Sequence, residues 1–324
     1  MGAPIKIGSA VVGIKAESSD YTLNAPVAAD AFEAFDITIS PQGENFVRQE
    51  TSSHFGKLDS LPSGAMMEIS FKVSAMGTGA TGPVTPPHWA TAVKACGCRM
   101  VLSGADTHTF NPFSTFDGAG DNPALSYSFA AWFDGVRYMA KGSMGNLVMT
   151  WAMGAPLELG FTFRGAYVSV ADAAIVVPSG VSTEKPPQLL GAGFTSLGFA
   201  AAIESFSIDL GNVLSNVIDA NDANGIKGVT ISDRRITGSF NPNMELIANE
   251  DFFGDWRAGT TGVLTTGLLG PAAGNQIQLV ANRISYNAPP VPGDRESIQV
   301  VEIPFLAGVA AGAADGTALD LIVK

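Results

Sequence analysis

The chain reads as short segments in which apolar and polar residues alternate, the mark of strands with one buried face. Residues 65–76 show it most clearly. Met67, Ile69, Phe71 and Val73 fall on one side, and Glu68, Ser70, Lys72 and Ser74 on the other. Leu125, Tyr127, Phe129, Ala131 and Phe133 alternate with Ser126, Ser128, Ala130 and Trp132. Asp134 and Gly135 then give a hairpin signal ahead of a strand over 136–141. Another strand is predicted over 147–153, and Leu157, Leu159, Phe161 and Phe163 alternate with Glu158, Gly160, Thr162 and Arg164. The same reasoning places strands at 31–39, 199–210, 262–269, 276–286 and 297–306, with strand segments across 227–240. In 297–306, Ile298 and Val300 oppose Gln299 and Val301, and Pro304 predicts an edge or a strand end. Residues 1–30 read as an extended arm followed by a polar loop. Residues 41–62 and 212–225 read as long polar loops, and 99–124 as irregular.

Two short helices interrupt this β pattern, at Thr85–Gly97 and Asn249–Gly259. Each opens on a residue type suited to an N-cap and closes on a glycine suited to a left-handed C-cap. Pro86 and Glu250 are 164 residues apart, about half of 324. Each half runs through paired strands, one helix and further strands. A repeat of this length predicts a duplicated domain, with 1–170 and 189–324 as the two copies. Residues 171–188 hold Pro178, Pro186 and Pro187 with little periodicity and read as the linker. The fold class expected is mainly β, a β-sandwich or rolled barrel with one short helix per domain.

Composition narrows the class. Apolar residues make up 46% and charged residues only 15%, with 37 Gly and 19 Pro. That balance suits strands joined by turns and does not suit disorder. It also leaves much uncharged surface for burial against partners. The net charge is -12, and no basic run is present to neutralise phosphates. No apolar run is long enough to predict a spanning helix, and residues 5–14 are broken by Lys6 and predict no signal peptide. Cys96 and Cys98 are too close in sequence to bridge without strain, which points to a reducing compartment.

The candidate chemical motifs are all weaker than their structural readings. Gly77, Gly79 and Gly82 match the dinucleotide fingerprint. However, Pro83, Pro86 and Pro87 separate them from the helix, and no acidic residue follows to hold a ribose. Asp219–Gly225 hints at a calcium loop. With Gly225 as the sixth position, Ala220 and Ile231 stand where key ligands are needed, so a surface turn is expected. His54, His88 and His108 form no zinc pattern, and Cys96 and Cys98 lack a second pair. No Gly-x-Ser-x-Gly elbow is present. No catalytic, cofactor-binding or metal residue is assigned, no cofactor is expected, and the chain is not expected to be an enzyme.

Several stretches carry a family resemblance. In the second half they are Lys185–Phe194, Ile208–Asn212, Asp222–Ile226, Gly238–Pro242, Asp251–Gly259 and Ile303–Phe305. In the first half they are Ala131–Tyr138 with Gly142, Gly145 and Asn146, and Phe161–Tyr167. Together they make the chain similar to the major tail tube proteins of long-tailed bacteriophages, of a two-domain type. The resemblance implies a structural virion protein, made in the host cytoplasm, that forms homotrimeric rings of pseudo-sixfold symmetry stacked into a tail tube. Double-stranded DNA would pass through without specific binding. Tape measure, tail terminator or baseplate proteins would be further partners, and no membrane insertion is expected. The related secretion tube uses single-domain subunits, which this length does not match. The alternatives are another virion tail or decoration β-protein, or a carbohydrate-binding β-sandwich using Trp132 and Trp151. The expected channel wall is acidic, with Glu33, Asp36, Glu68, Glu158, Glu204 and Asp209 as candidate contributors, and loops 41–62 and 212–225 are expected to touch the adjacent ring.

Overall fold

The computed structural model describes residues 10–48, 59–80, 85–104, 106–179, 181–310, 312–313 and 316–324. The protein is mainly β, with large antiparallel sheets of the sandwich or barrel class. In the first half the strands are β1 (Ala10–Ala16), β2 (Ala31–Phe32), β3 (Phe35–Phe46) and β4 (Leu61–Ser74). After helix α1 (Ala90–Ala95) come β5 (Cys98–Ser103), β6 (Thr107–Pro112), β7 (Tyr127–Phe133), β8 (Val136–Ala152) and β9 (Glu158–Asp172). In the second half β10 (Thr195–Ser196), β11 (Ile203–Asp209), β12 (Asn212–Ile218), β13 (Ile226–Arg234) and β14 (Thr237–Pro242) precede α2 (Phe252–Ala258). Then come β15 (Thr261–Thr265), β16 (Ile277–Tyr286), β17 (Val291–Arg295), β18 (Ile298–Ala307) and β19 (Leu319–Val323).

The alternating apolar residues form the core. Met67, Ile69, Phe71 and Val73 on β4 are buried, as are Leu159, Phe161 and Phe163 on β9. The register brings Phe71 opposite Phe161 and Ile69 opposite Phe163, and the Phe71 ring lies tilted against Phe161 at 5.2 Å and stacked with Phe163 at 5.8 Å. Each such ring contributes roughly 2–3 kcal/mol by leaving water. β7 is buried on both faces. Tyr127, Phe129 and Ala131 join the main core, while Ala130 and Trp132 join a smaller cluster with Val11 and Met139.

Among the described residues two ladders cross between the halves. β11 pairs with the far end of β8, with Ser205 opposite Ala152 and Asp209 opposite Val148. β19 pairs with β6, with Leu321 opposite Phe110. The main core accordingly draws on both halves, from Val12 to Val323. The segment read as a linker begins inside β9, which runs to Asp172.

Several segments differ from their sequence reading. Residues 212–218 form β12, paired with β13, not a loop. Register shifts between Val213 and Leu214 and between Val217 and Ile218 break the two-residue period that would have revealed it. Residues 98–103 and 107–112 are strands, and β3 continues to Phe46 inside the segment read as a loop. The first helix is shorter than predicted, with Trp89 at its N-cap and no side-chain cap hydrogen bond. The second matches closely. Asp251 caps it by accepting from the Gly254 amide, and Gly259 ends it at φ 64. On β18 the buried residues are Val301, Ile303, Phe305 and Ala307, whereas Ile298 is exposed. Pro304 is not at a strand end. It lies where β18 passes from β17 to β16 as its neighbour, a place where a missing amide proton is tolerated.

Candidate functional site

A continuous polar face is the most distinctive surface of the sheet. It is the reverse of the core-facing side of β3, β4, β9, β8, β11, β14 and β18, joined in that order by their ladders. Because side chains alternate, burying Phe71, Phe161, Met149, Phe206, Phe240 and Ile303 on one side places Ser70, Thr162, Thr150, Ser207, Ser239 and Glu302 on the other. Hydroxyls meet across the strands, with Ser70 and Thr162 at 3.3 Å and Ser207 and Ser239 at 3.4 Å. A shallow cavity of about 350 Å³ opens over Thr150, Ser205, Ser207, Ser239, Asn241 and Glu302.

The charges on this face are mostly matched locally. Lys72 Nζ lies 3.3 Å from Asp36 and 3.5 Å from Glu158. Its hydrogen bond to Asp36, with Glu158 close by, pushes its pKa up. Arg295 reaches Glu204 at 2.8 Å and donates to the Asn241 carbonyl at 2.8 Å. Arg164 donates to the Leu214 carbonyl at 2.8 Å. Glu68 accepts from Gln42 at 3.3 Å, and Asp209 accepts from Asn146 at 2.7 Å. Five of the six acidic candidates therefore border this face. Asp36 and Glu204 occupy β-bulges, not regular strand positions. Glu33 is the exception, since it lies in the irregular link between β2 and β3. Glu302 was not among the candidates, although its place between Val301 and Ile303 is the signal that finds it.

The remaining motifs resolve into structural roles. Gly77 and Gly79 pack against the second half: the Gly77 amide donates to Asn275 Oδ1 at 2.8 Å and the Gly79 amide to the Gly274 carbonyl at 3.0 Å. A Cβ on Gly77 would stand 2.0 Å from the Gly274 oxygen, so the glycine serves a close backbone approach. Gly82 lies outside the described residues. In the segment 219–225 the carboxylates are engaged locally. Asp219 accepts from the amide of Asn221, and Asp222 from Asn224 and from Lys141 at 2.6 Å. The Lys141 hydrogen bond holds the Asp222 carboxyl below its usual range. His54 lies outside the described residues, His88 is half-buried ahead of α1 and His108 is buried on β6. Burial lowers the pKa of His88. Among the described residues no cluster of His, Cys, Asp and Glu could hold a metal ion. Among those residues, too, no helix is long and apolar enough to cross a membrane. Trp132 and Trp151 are both buried, and Trp151 donates to the Ala155 carbonyl at 3.1 Å, so neither offers a sugar-stacking platform.

A network that the sequence did not signal fastens the halves together beside this face. Arg234 Nε donates to Asn212 Oδ1 at 2.7 Å, and its Nη2 to the Gly97 carbonyl at 2.9 Å. Asn212 Nδ2 donates to the Cys96 and Gly145 carbonyls, and the Asn212 amide donates to Asn146 Oδ1. The end of α1 is thus tied to β12, β13 and β8. No protein-family model matches the chain, and a search of curated proteins finds no match either.

Proposed function

We propose that this chain is the major subunit of a phage tail tube: a structural virion protein that assembles with copies of itself into trimeric rings, stacked around a channel for DNA. The single observation that carries the reading is the polar face shared by the two halves. It is broad, rich in hydroxyls and amides, and continuous through the β8–β11 ladder, while its reverse forms the core. A sheet built this way suits the wall of a water-filled passage. Its carboxylates Asp36, Glu68, Glu158, Glu204, Asp209 and Glu302 outnumber Lys72, Arg164 and Arg295, and those cations already have partners. A duplex passing such a wall meets no array of free cations to grip its phosphates. Three chains with two similar halves each would place six alike units around the ring. The rotation that closes a ring also removes strand edges that would otherwise pair at random.

Negative-stain microscopy of the purified full-length chain, and of the virion that encodes it, tests the proposal. Three-lobed rings and hollow tubes are expected. Six chains per ring would overturn the trimer, and a chain that stays monomeric at high concentration and is missing from the tail shaft would overturn the tube.

A further inference from the structure

One carboxylate straps the segment 17–24, which follows β1, across the start of β7. Glu17 accepts from the Ser126 hydroxyl, from the Ser128 hydroxyl at 2.7 Å and from the Gly142 amide on β8 at 2.8 Å. The two serines in turn accept from the strap. Ser126 Oγ takes the Tyr21 amide at 2.9 Å, and Ser128 Oγ takes the Asn24 amide at 3.0 Å. Asn24 also donates its side-chain amide to the Ala16 carbonyl at 2.8 Å, which closes the strap on the end of β1.

Within this strap Tyr21 has φ 58, in the left-handed region that a residue with a Cβ avoids. Such a backbone persists only where its surroundings hold it. Here they include the second half of the chain. A Cβ on Gly228 of β13 would stand 2.4 Å from Tyr21 Cδ1, and one on Gly142 of β8 would stand 3.0 Å from the same atom. The two glycines also abut each other, since a Cβ on Gly142 would lie 2.8 Å from Gly228 Cα. Lys227 Nζ sits over the Tyr21 ring, 5.6 Å from its centre. Gly142, whose amide Glu17 binds, is therefore also the residue on which β13 rests.

β13 belongs to the β12–β13 hairpin, an arm that pairs with no other strand among the described residues. A two-stranded hairpin has little stability in water by itself, so the arm depends on its seat. Its base is tied to the first half by Arg234, which reaches the Gly97 carbonyl, and by Arg164, which donates to Leu214. Nearer its turn, Lys141 pairs with Asp222 at 2.6 Å and Asn224 donates to the Tyr167 carbonyl at 2.8 Å. The Tyr21–Gly228 contact lies beside these. Glu17 bonds to the Ser126, Ser128 and Gly142 groups and to no residue of the arm among those described. Its influence on the arm passes through Gly142 and Tyr21.

We infer that the strap 17–24 is a latch on the β12–β13 arm: the two open and close as one unit, coupled by the Tyr21 ring wedged against Gly228. With the strap closed, Glu17 fixes the Gly142 backbone and Tyr21 covers Gly228. With the strap open, Tyr21 relaxes to an ordinary φ and its ring leaves β13. The turn end of the arm then keeps only the Lys141 and Asn224 ties. Coupling of this kind is reciprocal, so loosening the arm also loosens the strap. The latch lies within one chain and does not depend on the tail-tube reading.

Hydrogen–deuterium exchange of the full chain, read by mass spectrometry, tests the latch, because exchange reports local opening segment by segment. Glu17→Ala removes the strap's anchor without touching the arm. Tyr21→Gly removes the ring while a glycine adopts φ 58 at no cost, so its effect reports the ring alone. Each variant is expected to speed exchange about tenfold or more in β12–β13 and to leave β4 and β9 as in the wild type. Tyr21→Phe should match the wild type. In the reverse direction, Asp222→Asn should speed exchange of the Glu17, Tyr21 and Asn24 amides. If Glu17→Ala does not fold, Glu17→Gln and Tyr21→Gly carry the same comparison. Faster exchange confined to 17–24, with the arm unchanged, would overturn the coupling. So would an equal rise in β4, β9 and the arm, because strap and arm would then form no unit of their own.

Discussion

Arg234 lies against Gly97, with Nη2 donating to the glycine carbonyl at 2.9 Å and a methyl group on Gly97 left no room. The two residues belong to different halves of the chain, and the same guanidinium also binds Asn212. Replacing Arg234 with alanine leaves Asn212 Oδ1 without its donor and removes the charged bond to the Gly97 carbonyl, which keeps only the Phe113 amide. A loss of about 2–3 kcal/mol is expected, since hydrogen bonds to charged groups contribute about 1.5–3 kcal/mol. Urea denaturation checks this. Arg234→Lys should recover only part of the loss, because a single ammonium cannot reproduce the planar fork.

A second tie between the halves runs through Asn275, which is buried. Its Oδ1 accepts from the Gly77 amide at 2.8 Å and its Nδ2 donates to the Lys185 carbonyl at 2.7 Å. Asn275→Leu leaves both groups unsatisfied and should lower stability by about 2–6 kcal/mol, at about 1–3 kcal/mol for each unpaired group. Gly77→Ala should be at least as damaging, because the Gly274 oxygen that its methyl meets is backbone and cannot swing aside. A thermal shift no larger than that of an exposed-loop substitution would refute this account.

The Lys141–Asp222 pair makes stability depend on acidity. The Lys141 hydrogen bond, with that of the Asn224 amide, depresses the Asp222 pKa in the folded state. A carboxylate whose folded pKa is lowered stabilises the protein fully above its unfolded pKa of about 3.9, and the contribution is lost as pH falls through the folded value. Asp222→Asn should therefore weaken the protein at neutral pH and flatten the decline in stability below about pH 4. Urea midpoints measured from neutrality to pH 2.5 will show whether the two curves converge in acid. Parallel curves would exclude the pair as a contributor.

Cys96 and Cys98 are both fully enclosed, and burial pushes their thiols up, that of Cys98 to about 11. The thiolate is the reactive form, so both should resist disulfide reagents in the native protein at pH 8 and react only on unfolding. Rapid stoichiometric labelling without denaturant would show that the end of α1 opens readily.

The polar face carries a prediction about DNA. Thr150, Ser207 and Ser239 lie side by side on β8, β11 and β14. Lysine at all three positions would supply the free cations that the wild type lacks there. The variant should retain duplex DNA at low salt and release it as salt rises, whereas the wild type should retain none. Gel-shift measurements on assembled tubes decide between them. Equal retention by both would remove the link between this face and DNA passage.

The amino-acid sequence by itself determined which side of most strands is buried. The alternation at Met67–Val73 and Leu157–Phe163 reports burial directly, because each residue on a strand faces opposite to the next. Asp251 and Gly259 likewise bracket α2 through purely local hydrogen bonding and backbone geometry. Only the tertiary structure decided which strands lie side by side. The β8–β11 and β6–β19 ladders join residues far apart in the chain, and no local period encodes such a partner. β12 was hidden for a related reason. Its bulges disrupt the period, and as part of a two-stranded arm it has no wholly buried face to set one. Gly77 matched a dinucleotide fingerprint in sequence, whereas its reason for being glycine, the carbonyl of Gly274, lies nearly two hundred residues away and becomes visible only when the chain is folded.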